Sequence, residues 1–395
     1  MLPLESIKVV ELAQNLAGPF CAQILAHLGA DVIKIEKHNG DDARDWGKLM
    51  SPDGGPAFNA VNLSKRSVIA DLKNPVDVEK VLQLIDTADV VVQNMRPGAL
   101  TDIGLGAEAL MARNSRLIYC SINAYGTTGP KKLDPGYEAI VQAFSGMMMM
   151  SGLPSGPPVR MGTQVLDHGS AMWAAIGILA AIVERQRTGC GRKVDTSLME
   201  TAISWWTNPY ATYASTGQVP ERHPTANRDI VVYESLETAD GHIIVAACND
   251  VLFRKLCLVV GKPEWASDPR LATNRQRIER RDEIVAELNS ILRTESRAHW
   301  LKIIAAAGIP CTPINSLPEM LAEPQTEAIG MLQPVPNLER NIRLIALPVQ
   351  FDDRRPPIRN RAPQIGEHTK EVFGEPVEGA HTPLVNHADF SPRRV

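Results

Sequence analysis

Residues 6–36 read SIKVVELAQNLAGPFCAQILAHLGADVIKIE, a run in which a helical pattern lies between two apolar strands. The strands, residues 6–12 and 30–36, are rich in Val and Ile, as buried strands are. Pro19 suits the first position of the helix, and Gly29 suits its end. Two strands and an intervening helix within about 30 residues predict a right-handed βαβ unit.

The alternation of strands and helices continues along the first third of the chain. Further strands are predicted at residues 67–72, 89–94 and 116–122, and further helices at residues 75–88 and 107–114. Strands that are apolar throughout, such as residues 90–92, are typical of a sheet that is covered on both faces. We therefore predict a large domain with a Rossmann-like, doubly wound parallel α/β fold, built from residues 1–215 plus 325–395.

The remaining parts of the chain have other patterns. Residues 167–206 are predicted to be helical. Residues 230–235 and 242–247 are predicted strands joined through Asp240-Gly241, a turn signal, and helices follow them. Residues 225–320 are therefore predicted to form a smaller α+β domain.

The composition argues against several classes of function. With 41 basic and 45 acidic side chains, the net charge of −4 does not favour nucleic acid as a partner. The six cysteines are scattered and no His pair has ligand spacing, so no metal site is predicted.

The N-terminal segment contains Glu5 and Lys8, unlike a signal peptide. The most apolar stretch, residues 171–183, is shorter than the about 20 residues that span a bilayer. We expect a cytoplasmic protein that binds no membrane.

The turn after the first strand tests whether the ligand is a nicotinamide cofactor. A dinucleotide fingerprint places three glycines there, so that the pyrophosphate can approach the helix N-terminus. Residues 13–19 read AQNLAGP and contain one glycine. No Walker-type phosphate loop is present either. The sequence therefore predicts a Rossmann-like domain with a ligand other than NAD.

A series of short segments through the first half of the chain points to that ligand. The segments are residues 18–19, 29–36, 40–44, 65–67, 71–73, 93–98, 125–130, 136–138 and 187–191. In order and spacing, this series resembles the family III CoA-transferases, which include formyl-CoA transferase, carnitine CoA-transferase and bile-acid CoA-transferase. Related α-methylacyl-CoA racemases share it. The resemblance implies an interlocked homodimer and a reaction between an acyl-CoA and a carboxylic acid, with coenzyme A as a substrate and no metal or nicotinamide.

The resemblance places the family's nucleophilic aspartate on Asp167. From the residues alone, Asp167 precedes an apolar helix at residues 170–184, and its spacing favours a role as the N-cap of that helix. A helix N-terminus also stabilises a carboxylate anion, so Asp167 is expected to stay ionised. The family mechanism then implies a mixed anhydride followed by an aspartyl-CoA thioester on Asp167.

Other site residues are also implied by the resemblance. The residues expected to line the active site are Tyr137, Glu138, Gly126, Leu16 and Asn15. Those expected to bind CoA are Lys37, Lys73, Asn94 and Met95, and Arg96 or Arg44 is expected to replace an arginine of formyl-CoA transferase that aligns with Asp102. Taken singly, each of these lysines is also explained as a solvated surface charge.

The residues leave open two alternative functions and the identity of the acyl group. The racemase relatives carry a histidine where this chain has Tyr137, whose usual pKa of about 10 makes it a poor proton acceptor. A non-catalytic acyl-CoA-binding protein is disfavoured by the presence of Asp167 and Glu138. A succinyl-CoA or another dicarboxylyl-CoA donor is suggested by polar residues that could hold a second carboxylate, although surface solvation explains them equally well. These residues are Arg222, His223, Asn227 and Arg228.

Overall fold

The computed structural model describes residues 1–48, 50–51, 54–222, 225–338 and 342–374. The strands are β1 (Lys8–Leu12), β2 (Asp31–Glu36), β3 (Arg66–Ile69), β4 (Val90–Gln93), β5 (Ile118–Asn123), β6 (Lys193–Ser197), β7 (Tyr233–Thr238), β8 (Gly241–Ala246), β9 (Cys311–Pro313), β10 (Leu332–Pro334) and β11 (Arg343–Ile345). The helices are α1 (Ala17–His27), α2 (Pro56–Val61), α3 (Pro75–Asp86), α4 (Ala107–Arg113), α5 (Glu138–Phe144), α6 (Val165–Thr188), α7 (Leu198–Trp205), α8 (Thr207–Thr216), α9 (Asp250–Val259), α10 (Pro263–Ser267), α11 (Asn274–Ile278), α12 (Arg281–Leu292), α13 (Arg297–Ala306), α14 (Leu317–Ala322), α15 (Pro324–Ala328) and α16 (Thr369–Phe373).

The chain forms two compact units. The first comprises Met1–Gln142, Thr163–Trp206 and the described residues from Gly330 onward, and the second comprises Ala143–Gly162 and Thr207–Ile329. These units differ from the predicted domain bounds, because residues 143–162, 207–215 and 325–329 cluster with the second unit and not with the first. Residues 375–395 of the predicted large domain lie outside the described residues. The assignment of the predicted domains stays a prediction.

The first unit is built on a six-stranded sheet in the order β3-β2-β1-β4-β5-β6, with all neighbouring strands parallel. Buried residues of α1 and α6 pack on one face of this sheet. The other face packs against α3 and α4. The predicted Rossmann-like, doubly wound α/β fold is therefore confirmed. The strand order reverses between β1 and β4, and in this fold ligands bind outside the carboxyl ends of the strands at such a point.

The edge strand β6 lies in a region that was predicted to be helical, and that prediction is wrong. β6 pairs with β5 from Tyr119 to Asn123. Its sequence KVDTS is mostly polar, and Lys193 and Asp195 are exposed. A short polar edge strand carries neither the apolar run nor the strict alternation by which strands are recognised in a sequence.

Helix α6 is longer than residues 171–183, the most apolar stretch of the sequence. At 24 residues, its length and composition are sufficient to cross a membrane, and half of its most apolar window is buried inside the protein. Ala171, Ala174 and Ile178 are fully buried in the cluster that α6 shares with α1. A core helix passes the same length and composition test, and α6 packs in the core of the first unit.

The second unit has the α+β architecture that was predicted for this region. Strands β7, β8 and β9 form an antiparallel sheet. Its buried side chains Leu236, Ile243 and Val245 pack with residues of α9, α12 and α13, such as Leu256 and Leu288. The unit therefore has a hydrophobic core of its own.

Candidate active site

The predicted site residues of the first unit follow the carboxyl ends of its strands. Because the strands are parallel, these residues share one edge of the sheet. They are Asn15 and Leu16 after β1, Lys37 after β2, Lys73 after β3, Asn94, Met95 and Arg96 after β4, and Gly126 after β5.

The loop between β1 and α1 is tied to the loop after β4 across the point where the strand order reverses. The backbone N–H of Gln14 donates to Oδ1 of Asn94, and Nδ2 of Asn94 donates to the carbonyl of Gln14, both at 2.8 Å. A Cβ atom on Gly18 would lie 2.4 Å from the Cβ of Ala13 and 3.1 Å from Cγ of Asn94. Only glycine fits this close approach. Asn94 thus braces the loop at the predicted cleft.

Asn15 and Leu16 form the turn into α1. Asn15 has a left-handed backbone with φ of 66°, and its N–H donates to Oδ1 of Asp41 at 3.0 Å and to Oδ2 at 3.2 Å. Leu16 occupies the N-cap position without a side-chain cap. Because α1 begins at Ala17, Pro19 is its third residue and not its first, as the sequence had suggested.

Asp167 lies inside the first turn of α6. The helix begins at Val165 with Gln164 at the N-cap position, so the interpretation of Asp167 as the N-cap is wrong. Asp167 is half-buried, and the first-turn position still places its carboxylate at the positive end of the helix dipole.

The first turns of α1 and α6 are in contact through His168. The ring of His168 packs edge-on against Phe20 of α1, with 4.7 Å between ring centroids. Its Nδ1 lies 2.8 Å from the carbonyl of Gln164. Since a carbonyl oxygen only accepts, Nδ1 is the donor in this contact. The turn that carries Asp167 is therefore held next to the turn that follows Leu16.

Glu138 is also brought to the first turn of α6. It begins α5, is only 5% exposed, and accepts a hydrogen bond from Nε2 of Gln142. The same oxygen, Oε1, lies 3.5 Å from the backbone nitrogen of Leu166, the residue before Asp167. Tyr137, in contrast, is 67% exposed. The structure thus places Glu138 against the backbone of the residue that precedes Asp167 and leaves the Tyr137 ring open to solvent.

Gly126 lies at the carboxyl end of β5. Its φ of 96° is in the left-handed region that favours glycine. Its N–H donates to Oδ1 of Asn123. A Cβ atom there would be 3.9 Å from Ser197 and Glu200, an ordinary contact distance, so the backbone conformation and not space explains the glycine.

The predicted CoA ligands divide into exposed and buried groups. Lys73 and Arg96 are exposed, whereas Lys37 is half-buried and forms an ion pair with Asp42. Met95 is half-buried against the sheet core. These exposed cations lie where a phosphate could reach them, and their role as CoA ligands stays a prediction.

Arg44 does not suit the predicted role as a CoA ligand. It is 3% exposed, and its guanidinium makes two hydrogen bonds to Glu36, at 2.8 and 2.6 Å. It also donates to the carbonyl of Pro363 and lies 3.6 Å from the ring centre of Phe58. A guanidinium that is buried and bound in this way cannot turn to a phosphate, so we correct the prediction for Arg44.

Some of the residues that were predicted to hold a second carboxylate of the acyl group have other partners in the second unit. The guanidinium of Arg222 donates to the carbonyls of Met149 at 3.0 Å and Gly156 at 2.6 Å, and so braces the segment 149–157. Arg228 donates to Oε1 of Gln218. His223 lies outside the described residues. Arg222 is therefore engaged by backbone, which argues against its predicted role.

A cluster of charged side chains behind the β1–α1 loop was missed in the sequence. We call it the buried charge cluster; its members are Glu11, Lys34, Glu36, Asp41, Arg44 and Lys65, all nearly fully buried. Lys34 pairs with Glu11 and Asp41 at 2.8 Å, and Lys65 pairs with Glu11 at 2.7 Å. The available signal was the presence of Glu11 and Lys34 within otherwise apolar strands.

The cluster changes the ionisation of its members. Burial alone would lower the pKa of Lys34, but Glu11 and Asp41 outweigh burial and raise it. Burial would raise the pKa of Asp41, but the charge and hydrogen bond of Lys34 hold it below its usual value. Burial lowers the pKa of Lys65 to about 8, although Glu11 opposes this shift. Glu36 likewise has a lowered pKa, because Arg44 overcomes the effect of burial.

Comparison with known proteins identifies related enzymes. The model of CoA-transferase family III matches residues 4–369. A succinate–glutarate CoA-transferase of Agrobacterium fabrum is 37% identical over 94% of this chain and 95% of that protein. An acetyl-CoA:oxalate CoA-transferase of Acetobacter aceti is 36% identical over 84% of this chain and 85% of that protein. The crystal structure of a CAIB/BAIF family protein from Brucella suis matches with a TM-score of 0.86 and 35% identity, over 94% of this chain and 99% of that one.

Proposed function

This chain belongs to CoA-transferase family III, and on that premise we propose that it moves CoA from a dicarboxylyl-CoA donor, such as succinyl-CoA, to a carboxylic acid acceptor. The observation that carries the proposal is the end-to-end similarity to a succinate–glutarate CoA-transferase. The position of Asp167 in the first turn of α6, beside the buried Glu138, supports its assignment as the nucleophile.

In the first half of the reaction, a carboxylate oxygen of Asp167 attacks the thioester carbonyl of the donor and expels CoA thiolate. The product is a mixed anhydride between Asp167 and the donor acid. The thiolate then attacks the Asp167 carbonyl, which forms an aspartyl-CoA thioester and releases the donor carboxylate. One oxygen of Asp167 leaves with that carboxylate. The positive end of α6 stabilises the charge that Asp167 carries between turnovers.

In the second half, the acceptor carboxylate attacks the aspartyl-CoA thioester and again expels CoA thiolate. The thiolate attacks the acceptor carbonyl of the new mixed anhydride, which yields acyl-CoA and restores the Asp167 carboxylate. One oxygen of the acceptor remains on Asp167. Because one thioester is exchanged for another, the sequence of steps needs no external energy source.

The test of this function is a panel of CoA donors and acceptor acids read by mass spectrometry. The panel should include succinate, glutarate and oxalate, with monocarboxylic acids for comparison. We expect transfer to be fastest between dicarboxylic acids and to be lost in Asp167→Ala. Faster transfer between monocarboxylic acids would contradict the substrate class, and transfer by Asp167→Ala at the unmodified rate would contradict the mechanism.

Racemisation of an acyl-CoA is the nearest alternative. It requires a base that removes the α-proton, and this chain has Tyr137 where the racemase relatives carry a histidine. We expect no exchange of the α-proton of a 2-methylacyl-CoA in deuterated water. Exchange that is lost in Tyr137→Phe would favour the racemase. An acyl-CoA-binding protein without catalysis would bind the donors of the panel and convert none of them.

We also propose a homodimer, which the family resemblance implies. The support within this chain is an exposed apolar stripe on α6, formed by Met172, Trp173, Ile176 and Val183. Large apolar surfaces are typical of protein interfaces. Sedimentation should give a dimer at micromolar concentration, and Ile176→Asp should weaken it. A monomer at that concentration would contradict the assignment. The cytoplasmic location stays a prediction.

A further inference from the structure

The loop between β1 and α1 and the first turn of α1 are held by side-chain hydrogen bonds to the backbone of four residues. Nζ of Lys34 donates to the carbonyl of Ala13 at 2.8 Å, and the Asn94 side chain bonds both backbone groups of Gln14 at 2.8 Å. The Asp41 carboxylate accepts from the N–H of Asn15 at 3.0 and 3.2 Å. Nζ of Lys65 donates to the carbonyl of Pro19 at 2.7 Å. Three of the four contacting side chains belong to the buried charge cluster.

Asp41 has a special place among these contacts. It accepts from Asn15, whose backbone is left-handed, a conformation that is sterically unfavourable for residues with a Cβ, although less so for Asn than for most. The same carboxylate accepts from the N–H of Ala43 at 3.0 Å and pairs with Lys34 at 2.8 Å. Asp41 is thus oriented by two partners while it holds the strained residue with a charge-assisted hydrogen bond.

A gain in the stability of the fold is by itself a weak explanation for the buried charge cluster. Buried ion pairs lose much of their attraction to the cost of desolvation, and apolar side chains often serve stability as well or better. The cluster has three acidic and three basic members, so its charges balance. What apolar residues could not do is form hydrogen bonds to the backbone of the loop at the carboxyl edge of the sheet.

We propose that Asp41 is a positioning residue for CoA transfer. By holding the N–H of Asn15, it keeps the turn into α1 in one conformation, and it thereby keeps Phe20 in place against His168 in the turn that carries Asp167. This inference rests on the proposed function, because the geometry that it maintains is that of the nucleophile's surroundings.

The test is a double-mutant cycle of Asp41→Asn and Asn15→Gly. Glycine adopts a left-handed backbone without a steric penalty, so it relieves the strain against which Asp41 holds the turn. The matched control is Asp89→Asn. Asp89 also accepts from a backbone N–H, that of Lys8 at 2.9 Å, and also pairs with a buried base, Arg185 at 2.8 Å, but it precedes β4 at the opposite edge of the sheet.

Two readouts are measured for each variant, namely kcat for CoA transfer and the hydrogen exchange of the peptide that covers residues 13–19. We expect Asp41→Asn to lower kcat by roughly 10- to 100-fold, the loss that follows a small displacement near a reacting group. In the Asn15→Gly background, the same substitution should lower kcat by less than about threefold. Asp89→Asn should change kcat by less than about twofold, since it lies far from the loop.

Hydrogen exchange separates the failure of this inference from that of the proposed function. Asp41→Asn should speed exchange of the 13–19 peptide, and Asp89→Asn should not. An equal loss of kcat in both backgrounds, or unchanged exchange in Asp41→Asn, would overturn the positioning role. If the unmodified protein transferred CoA between no pair of acids, the proposed function would fail, and faster exchange in Asp41→Asn would still support the hold of Asp41 on the turn.

Discussion

Single residues of the site depend on neighbours that are distant in sequence. Asp167 is half-buried in the first turn of α6, where the helix dipole favours its anion. Glu138 reaches that turn from 28 residues earlier in the chain, through the backbone of Leu166. Local sequence predicted the helix beside Asp167, but the contact with Glu138 exists only because the chain returns to the same edge of the sheet.

Arg44 and Arg96 lead to a prediction about stability. Arg44→Ala would leave Glu36 as a buried carboxylate without its main partner, a change that costs about 3–5 kcal/mol in other proteins. Arg96 is exposed, and Arg96→Ala should change the free energy of unfolding by less than about 0.5 kcal/mol. Urea unfolding of the two variants measures this difference. Equal losses of stability would mean that the Glu36 contact is not important for folding.

The role of Arg44 could not be predicted from the sequence for a physical reason. An arginine in a loop after a strand has the same local pattern whether it binds a phosphate or a buried carboxylate. The distinction lies in the partner, and Glu36, Phe58 and Pro363 come from three separate parts of the chain. The same holds for Arg222, whose guanidinium contacts carbonyls about 70 residues away.

At the scale of the elements, the N-terminal end of α6 is packed tightly on α7. A Cβ atom on Gly169 would lie 2.6 Å from Cζ2 of Trp205 and 2.8 Å from Cγ2 of Thr201. Ser170 and Thr201 are joined by a hydrogen bond between their hydroxyl groups at 2.9 Å. These contacts fix the end of α6 that carries Asp167.

We predict that Gly169→Ala is destabilising even though alanine favours helices. Overpacking of this kind costs about 1–3 kcal/mol, which exceeds or cancels the helix propensity that alanine adds. Gly162→Ala is the control, because no atom lies within 4 Å of the added methyl group. The midpoint of urea unfolding should fall for Gly169→Ala and stay unchanged for Gly162→Ala. A higher midpoint for Gly169→Ala would indicate that Trp205 moves away without cost.

The main strands and helices were predictable where their hydrophobic patterns were strong. Strands β1 to β5 and helices α1, α3 and α4 have the apolar runs and end signals that packing in a covered sheet requires. The strand β6 and the short helices α10, α11, α14 and α15 were not predicted. They are short and mostly polar, so tertiary contacts determine their conformation more than local preference does.

At the scale of the whole molecule, the buried charge cluster couples stability to pH. The folded-state pKa values of Asp41 and Glu36 are lower than their usual values. At pH values between these lowered pKa values and about 4, the unfolded chain therefore binds more protons than the folded protein does. The free energy of unfolding consequently falls as the pH falls through this range. Above that range the contribution of both carboxylates is complete.

The corresponding prediction concerns the acid side of the stability profile. The free energy of unfolding of the unmodified protein should fall between pH 6 and pH 3. Asp41→Asn should be less stable at pH 6 but should lose less stability on acidification, since it has no carboxylate to protonate at that position. Urea unfolding at a series of pH values measures both curves. Parallel curves would show that Asp41 is not responsible for the acid sensitivity.

The central claim is that Asp167 becomes acylated through its own oxygen, and isotope transfer tests it most directly. The enzyme is allowed to turn over with an acceptor acid labelled with ¹⁸O in both carboxylate oxygens, and the peptide that contains Asp167 is then analysed by mass spectrometry. The mechanism predicts that ¹⁸O accumulates in the Asp167 carboxylate, because each turnover leaves one acceptor oxygen there. Product formation without any ¹⁸O in Asp167 would contradict the mechanism.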